Sequence, residues 1–227
     1  AIWYSYINFI DVMRWESEWL QQECCLICSF LLHEKGNGMD RKYYDAIESN
    51  PVVAAVKDMS GLLKCCELED IKVVFILFGD VCSIREIVKQ VKKTGRIAMV
   101  HIDLISGLGS KEVAVDYIKQ YTEADGIITT KPLLIRRGKE LSLCTVLRYF
   151  LIDSMALENI RNQQHIVKPD FIEVLPGLMP KVIGQICQTS RVPIIAGGLI
   201  TDKEAVMGAL SAGAIAVSTT NREVWQM

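Results

Sequence analysis

The sequence of 227 residues predicts an α/β protein that folds as a small single-domain (β/α)8 TIM barrel with short βα loops. First, from Asn50 onward, short apolar runs alternate with amphipathic helical patterns without a break. Runs that are apolar on both faces are typical of parallel strands covered by helices. Second, the number of strand-like runs suits a closed barrel, whereas a doubly wound open sheet usually has fewer strands. Third, the region is small for a barrel, which leaves room only for short loops.

The order of the elements follows from the hydrophobic periodicity. The predicted strands are residues 52–56, 73–78, 97–102, 126–129, 144–151, 171–175, 193–196 and 215–218. The predicted helices are residues 59–68, 83–94, 110–121, 133–141, 154–166, 179–189 and 202–212, followed by a short last helix at 222–227. Thr201 is the predicted N-cap of the helix at 202–212, because Glu204 follows at the spacing of a capping box.

Composition excludes several classes of protein. Hydrophobic residues make up 50% of the chain, but the apolar runs are too short for a transmembrane helix. The formal net charge of −2 argues against nucleic-acid binding through overall charge. The cysteines lie mostly within apolar runs, and Cys25-x-x-Cys28 has no second pair or nearby pair of histidines. We therefore expect a cytoplasmic protein with reduced thiols, without a metal site and without a cofactor.

Residues 1–38 differ from the rest of the chain. They contain three of the four tryptophans, and their two basic and five acidic residues give a net charge of −3. Met39 is the first methionine that begins a plausible domain, and the codons of Lys35-Gly36 can form a purine-rich ribosome-binding run. One interpretation is that residues 1–38 are extraneous, either upstream sequence translated in frame or disordered, and that the barrel domain is 39–227. The alternative is an amphipathic helix near residues 13–32 that docks on a partner; a peptide from 1–38 in cell extract would exclude the first interpretation.

Two adjacent βα units place small and hydroxyl-bearing residues at strand ends. The seventh strand leads into Gly197-Gly198, where the missing side chains let a ligand approach the backbone. The eighth leads into Ser218-Thr219-Thr220 at the start of the last helix, whose N-terminus favours an anion. TIM barrels commonly hold phosphate in this way after strands 7 and 8. The alternative is a pair of tight turns without a ligand.

Polar residues also follow several other strands, where function collects in such barrels. They are the acids Asp80, Asp103 and Glu173, the bases Lys57, Lys131 and Arg148, and the imidazole of His101. A phosphorylated polyol suits this ring, with its hydroxyls bonded to Asp103, Glu173 or Asp80. Glu173 carries most weight, because an unpaired carboxylate on a buried strand is costly. Alternatively, His101 and Asp103 form a satisfied pair inside the barrel while Lys131 caps a turn, or Asp103 and Lys131 serve as an acid and a base in proton transfer.

Basic residues are grouped on the predicted helix at 133–141, where Arg136, Arg137 and Lys139 lie close together. Such groups are usually solvated faces. Few aromatic residues that could stack on bases lie nearby, so the residues alone give little support for RNA binding.

Six stretches of the predicted barrel carry a more specific signal. They are residues 78–82 (FGDVC), 100–108 (VHIDLISGL), 124–132 (ADGIITTKP), 170–177 (DFIEVLPG), 196–200 (AGGLI) and 216–221 (AVSTTN). Together they resemble the glycerol uptake operon antiterminator regulatory proteins of Gram-positive and related bacteria. The resemblance runs from about Met39 to the C-terminus and does not include residues 1–38.

This resemblance implies a (β/α)8 barrel that responds to glycerol 3-phosphate and acts as a transcription antiterminator on the leader mRNA of glycerol-uptake genes. It implies that the phosphate of this effector is held by Gly197, Gly198, Ser218, Thr219 and Thr220, with Lys131 near it. The glycerol hydroxyls are then expected at Asp103 and Glu173, with His101 and Asp80 as further candidates. Arg136, Arg137 and Lys139 are expected RNA contacts on grounds of charge alone.

Two other functions stay open at this point. One is a TIM-barrel enzyme of the isomerase or aldolase type that acts on a small phosphorylated substrate. The other is a phosphate-binding subunit whose helices dock on a protein partner. Short loops and the lack of a nucleophile–base–orienter set favour a regulator over an enzyme, and the oligomeric state is not predicted.

Overall fold

The computed structural model describes residues 38–227, apart from the side chains of 38–40, 161 and 163–165. The interpretations of residues 1–38 therefore lie outside the described residues, except at Gly38. The described chain begins with helix α1, Gly38–Ser49, which the sequence analysis did not predict. No helix within residues 38–227 combines the length and the apolar composition needed to cross a bilayer.

Eight parallel strands form a closed barrel in chain order, β1 to β8, with β8 paired to β1. The strands are β1 Val52–Val56, β2 Val73–Ile76, β3 Ile97–His101, β4 Gly126–Thr129, β5 Cys144–Phe150, β6 Phe171–Leu175, β7 Ile194–Gly197 and β8 Ala216–Thr219. Their strongly apolar sequences are buried on both faces, because one face lines the barrel and the other packs on helices. The (β/α)8 barrel prediction is confirmed.

A helix follows each strand up to β7. These helices are α2 Met59–Glu67, α3 Ile84–Lys93, α4 Val113–Tyr121, α5 Pro132–Glu140, α6 Ser154–Val167, α7 Pro180–Thr189 and α8 Lys203–Ser211. Short 3₁₀ helices occupy Ile102–Leu104 after β3 and Val224–Gln226 after β8, the second in place of the predicted helix at 222–227. Most βα loops are short, as predicted: residues 57–58 alone separate β1 from α2, and residues 130–131 alone separate β4 from α5.

Helix α1 covers the N-terminal end of the barrel. Its Tyr43 and Ile47 are buried against interior residues such as Phe75 and Val146. A cavity of about 10 Å³ is left between α1 and the interior, no larger than one water molecule needs. The floor of the barrel is therefore packed with apolar side chains, and the C-terminal end is where polar side chains enter the interior.

Asp125, at the start of β4, ties α1 to the barrel. Its carboxylate accepts hydrogen bonds from Lys42 Nζ of α1 at 2.9 Å, Lys92 Nζ of α3 at 2.5 Å and the Ala98 N–H of β3 at 2.8 Å. Its backbone carbonyl accepts one from the Tyr43 hydroxyl at 2.9 Å. One side chain thus connects three elements at the bottom of the barrel.

The predicted N-cap of α8 is wrong by one residue. Asp202, not Thr201, has the extended N-cap backbone, and its carboxylate accepts a hydrogen bond from the Ala205 N–H at 2.8 Å. Aspartate is well suited to this position because its negative charge also meets the positive end of the helix dipole.

Candidate functional site

Four polar side chains point into the barrel at its C-terminal end. His101, Arg148, Glu173 and Ser218 are all buried. His101 lies two residues after Met99 on β3, and Met99 faces the apolar interior, so the alternation of the strand points His101 inward as well. The same alternation from Val146 points Arg148 inward. The interior therefore changes from apolar at the floor to polar at the mouth.

Glu173 connects the other buried groups of the β5–β8 side. Arg148 lies opposite Glu173 in the register of β5 and β6, and Arg148 Nε donates to Glu173 Oε2 at 2.5 Å. The Ser218 hydroxyl donates to Glu173 Oε1 at 2.5 Å. The sequence-based expectation that Glu173 is not an idle buried carboxylate is consistent with this arrangement, because Arg148 compensates its charge and the Ser218 hydroxyl bonds its other oxygen.

Gly197 makes room for this network. A Cβ at this position would come within 2.7 Å of Glu173 Oε1 and would also collide with the Ser218 hydroxyl. Gly197 lies opposite Ser218 in the register of β7 and β8. A side chain at position 197 would therefore displace the acceptor that Arg148 and Ser218 share.

The structure brings Gly197, Gly198, Ser218, Thr219 and Thr220 together at the ends of two neighbouring strands, as the sequence predicted. Their hydroxyls, however, are largely engaged within the protein. Ser218 donates to Glu173, and Thr219 Oγ1 donates to the Ile200 carbonyl at 2.6 Å while accepting from the Asn221 N–H at 3.0 Å. The exposed Thr220 is the member of this group whose side chain faces solvent.

The backbone after β7 has an unusual conformation. Gly198 has φ of 74°, and the exposed Leu199 has φ of 61°. Two successive left-handed residues are uncommon, and a left-handed leucine is strained because its Cβ crowds the backbone. Since strain of this kind clusters at ligand-binding segments, the tip of β7 is a candidate anion contact through its backbone N–H groups rather than through side chains.

A second cluster lies between β3 and β4. The Asp103 carboxylate accepts hydrogen bonds from the Thr129 hydroxyl at 3.0 Å, the Thr130 N–H at 2.8 Å and Lys131 Nζ at 2.9 Å. Burial alone would raise the pKa of Asp103, but these three donors outweigh it, so the pKa lies below its ordinary value. Asp103 is therefore an anion held in a fixed position.

Lys131 is not part of the β7–β8 group. Its Nζ contacts Asp103 and, at 2.6 Å, the hydroxyl of Ser110. In the closed order of eight strands, β4 lies across the barrel from β8. The structure brings Lys131 together with Asp103, and not with the glycines and hydroxyls after β7 and β8.

His101 is the least satisfied polar residue of the mouth. Only 3% of the residue is exposed, and its Nδ1 has no hydrogen-bond partner among residues 38–227. Burial and the nearby Arg148 charge lower the pKa of its imidazole to about 4. The ring is therefore neutral at neutral pH, and it does not form a satisfied pair with Asp103 through Nδ1.

The Asp80 carboxylate bonds to the backbone of its own turn. The residue is exposed, and its carboxylate accepts hydrogen bonds from the N–H groups of Cys82 at 2.8 Å and Ser83 at 2.9 Å before α3 begins. Hydrogen bonds from Ser83 and Cys82 hold the pKa of Asp80 below its ordinary value. This geometry organises the turn into α3, so Asp80 has a structural role that the sequence-based assignment to a polyol did not include.

The basic residues of α5 are mostly paired with carboxylates. Arg137 contacts Asp116 and Glu140, both at 2.7 Å, and Lys139 contacts Asp170 at 2.8 Å. Arg136 is exposed, and none of the described residues forms an ion pair with it. The basic residues of α5 therefore do not form a face of unpaired charges.

The sequence analysis counted Arg148 among the polar residues at the strand ends but assigned it no ligand. It lies on β5, where inward and outward positions alternate, and this alternation could have shown that its charge faces the interior. Among the described residues, no group of three or more His, Cys, Asp or Glu side chains is arranged to hold a metal ion.

Comparison with known proteins gives a consistent assignment. The sequence pattern of the family described as "Glycerol-3-phosphate responsive antiterminator" matches residues 52–225. "Uncharacterized protein YgcP" of Escherichia coli (strain K12) is 41% identical over 181 residues, which cover 80% of this chain and 94% of that protein.

Two solved structures are similar in sequence as well as in fold. The glycerol uptake operon antiterminator regulatory protein from Listeria monocytogenes is 32% identical, with a TM-score of 0.75 over 78% of this chain and 95% of that one. The glycerol uptake operon antiterminator-related protein from Thermotoga maritima is 34% identical, with a TM-score of 0.69 over 78% of this chain and 98% of that one. The chain belongs to the glycerol-3-phosphate responsive antiterminator family.

Proposed function

We propose that the protein is a transcription antiterminator that binds glycerol 3-phosphate and the leader mRNA of glycerol-uptake genes, and thereby promotes read-through of a terminator. Membership of the family supports the regulatory role. The observation that carries the effector site is the buried Arg148–Glu173–Ser218 network directly beneath the β7 and β8 tips. A buried, pre-arranged polar network at the one polar end of an otherwise apolar barrel is what a small polar ligand needs.

In this proposal the phosphate lies at the β7 and β8 tips. Gly197 and Gly198 leave the backbone accessible there, and the exposed Thr220 adds a hydroxyl. Backbone N–H groups at such tips can bind an anion even where no lysine or arginine side chain contacts it. Lys131 is left out of the phosphate site, because its ammonium group is bound to Asp103 on the β3–β4 side.

Regulation requires that the effector binds one state of the protein better than another. In our proposal the RNA-competent state is the one that glycerol 3-phosphate stabilises, and the protein works in the cytoplasm, where its RNA is made. The coupling is reciprocal: if the effector tightens RNA binding tenfold, RNA tightens effector binding by the same factor.

Calorimetric titration of the full chain with glycerol 3-phosphate, glycerol and inorganic phosphate tests the effector site. We expect glycerol 3-phosphate to bind well above both fragments, because each fragment engages only part of the site. Leader RNA binding is then measured by fluorescence anisotropy with and without glycerol 3-phosphate. No binding of glycerol 3-phosphate, or an RNA affinity that does not depend on it, would contradict the proposal.

One contact favours a second candidate, an enzyme acting on a small phosphorylated substrate. Asp103 Oδ1 and Lys131 Nζ are 2.9 Å apart at the mouth, which is a possible acid–base pair. This candidate predicts turnover of a phosphorylated substrate that Asp103→Asn and Lys131→Ala abolish in folded protein. The regulator predicts no turnover in the wild type, so a screen of triose and pentose phosphates separates the two.

A further inference from the structure

Arg148 is anchored at one side of its guanidinium group and open at the other. Only 7% of the residue is exposed, and its Nε is bound to Glu173. Its two terminal nitrogens donate no hydrogen bond to any residue in the described range 38–227. A guanidinium carries five N–H donors in a fixed plane. The terminal nitrogens of Arg148 are not among the fully buried polar atoms that lack a partner, so they can be reached from the mouth of the barrel. The terminal nitrogens are therefore positioned to meet oxygen atoms that are not part of the described chain.

His101 offers a second unmet group at the same end of the barrel. Its Nδ1 is buried without a partner among the described residues, and the Arg148 charge is near enough to help lower the pKa of the ring. Both side chains point into the barrel from the ends of β3 and β5. A neutral imidazole presents one N–H donor and one nitrogen acceptor.

The charges around this pair select the kind of group that fits. The Glu173 carboxylate already compensates the Arg148 charge at 2.5 Å, and it would repel a phosphate dianion placed against the guanidinium. A hydroxyl group suits the pair better, because its oxygen accepts from Arg148 while its proton is donated to the imidazole nitrogen. The phosphate has a separate place at the β7 and β8 tips.

We propose that Arg148 and His101 bind the hydroxyl-bearing end of a small phosphate ester inside the barrel, with Glu173 as the positioning residue for Arg148. This inference rests on the proposed function, since it concerns the same effector site, and it fixes the direction in which the effector enters. The hydroxyls lie deeper in the barrel and the phosphate lies at the rim.

The test compares glycerol 3-phosphate with propyl phosphate, which has the same carbon chain and phosphate but no hydroxyls. Calorimetry on the full-length wild type should show tighter binding of glycerol 3-phosphate by about tenfold or more, as expected for hydrogen bonds to a charged donor. Arg148→Lys removes the planar fork but keeps the charge, and His101→Phe removes both ring nitrogens. Each variant should lose most of this preference while its affinity for propyl phosphate stays the same.

Arg96→Lys is the matched control. Arg96 is also 7% exposed and is bonded through Nε to the Ile71 carbonyl at 3.0 Å, but it lies before β3 at the opposite end of the barrel. This variant loses buried hydrogen bonds as Arg148→Lys does, yet it should keep the wild-type preference. An equal loss of preference in Arg96→Lys would show that the effect is structural and would overturn the inference.

A measurement on the wild type covers the case in which a variant does not fold. In a sample with ¹⁵N-labelled histidine, glycerol 3-phosphate should shift the Nδ1 resonance of His101, and propyl phosphate should not. Equal binding of the two compounds, an unshifted resonance, or parallel losses for both compounds in Arg148→Lys would overturn the inference and leave the proposed function standing. Failure of the wild type to bind glycerol 3-phosphate would overturn both.

Discussion

Glu173, Arg148, Ser218 and Gly197 depend on one another. The carboxylate keeps the guanidinium in place, the serine hydroxyl occupies its second oxygen, and the glycine leaves the space in which they meet. Because all of these groups are buried, removing one partner leaves another polar group unpaired in a dry environment. The Arg148–Glu173–Ser218 network therefore depends on the absence of a side chain at position 197.

We predict that Gly197→Ala destabilises the protein by about 1–3 kcal/mol, the usual cost of forcing extra atoms into a packed interior. The added methyl group would collide with Glu173 Oε1 and the Ser218 hydroxyl, so the network must shift. Urea unfolding measures the change in the free energy of unfolding. Gly109→Ala is the control, since a Cβ there meets no atom within 4 Å; equal stability of the two variants would contradict the prediction.

Sequence reasoning named both Glu173 and Arg148 as strand-end residues but did not pair them. An acid on a buried strand is conspicuous in any sequence, because it needs compensation wherever it lies. The choice of Arg148 depends on the register that places it opposite Glu173, and registers between neighbouring strands are a property of the closed barrel. The local role of Asp80 was missed for a related reason, since its backbone partners at Cys82 and Ser83 come from turn geometry.

At the scale of elements, α1 is held to the barrel by contacts at two levels. Tyr43 and Ile47 supply apolar packing, and Asp125 collects donors from α1, α3 and β3. Burial alone would raise the pKa of Asp125, but hydrogen bonds from Lys92, the Ala98 N–H and Lys42 outweigh it, so the pKa lies below its ordinary value of 3.8. The ionised carboxylate therefore stabilises the folded chain.

We predict that Asp125→Asn destabilises the protein at neutral pH and that the difference disappears in acid. A carboxyl whose pKa is lowered by folding stabilises the native state above the unfolded-state pKa, and this contribution is lost as the pH falls through the folded-state pKa. Urea unfolding of both proteins between pH 7 and about pH 3 follows the change. Asp70→Asn, at an exposed position, should show no such difference; a gap between Asp125→Asn and wild type that stays constant with pH would refute the mechanism.

The strands were predictable almost residue by residue because runs buried on both faces leave a strong apolar signal. Helix α1 was missed because its docking depends on Tyr43 and Ile47, a single i, i+4 pair within a polar helix. The N-cap of α8 was misplaced because Thr201 and Asp202 are both good capping residues, and only the backbone conformation decides between them.

At the scale of the whole molecule, the proposed RNA-binding role must be reconciled with a net charge of −2. Affinity for RNA then depends on local basic residues rather than on overall charge. Of the three expected RNA contacts on α5, Arg137 and Lys139 are paired with carboxylates. The exposed Arg136 is therefore the strongest remaining candidate. The prediction of an RNA partner rests on the family resemblance, since the basic residues of α5 are mostly paired.

We predict that Arg136→Ala weakens binding of leader RNA and lowers the slope of log affinity against log salt by about one, as expected when one phosphate contact is lost. Fluorescence anisotropy over a range of salt concentrations gives both quantities. Arg85→Ala on α3 is the matched control, because Arg85 is also exposed and lies on a different helix. If both variants behave alike, the RNA surface is not on α5.

Because helix α1 closes the N-terminal end of the barrel, the interior is open only at the C-terminal end within residues 38–227. With Tyr43 and Ile47 packed into its floor, the barrel resembles a cup rather than a tube. If the proposed effector site is correct, the effector enters and leaves by the same rim, so a molecule bound at that rim slows its association and its dissociation together. A macromolecule bound across the rim would lengthen the residence time of the bound effector without contacting it. The protein would then stay in its effector-bound state for as long as that macromolecule remains bound.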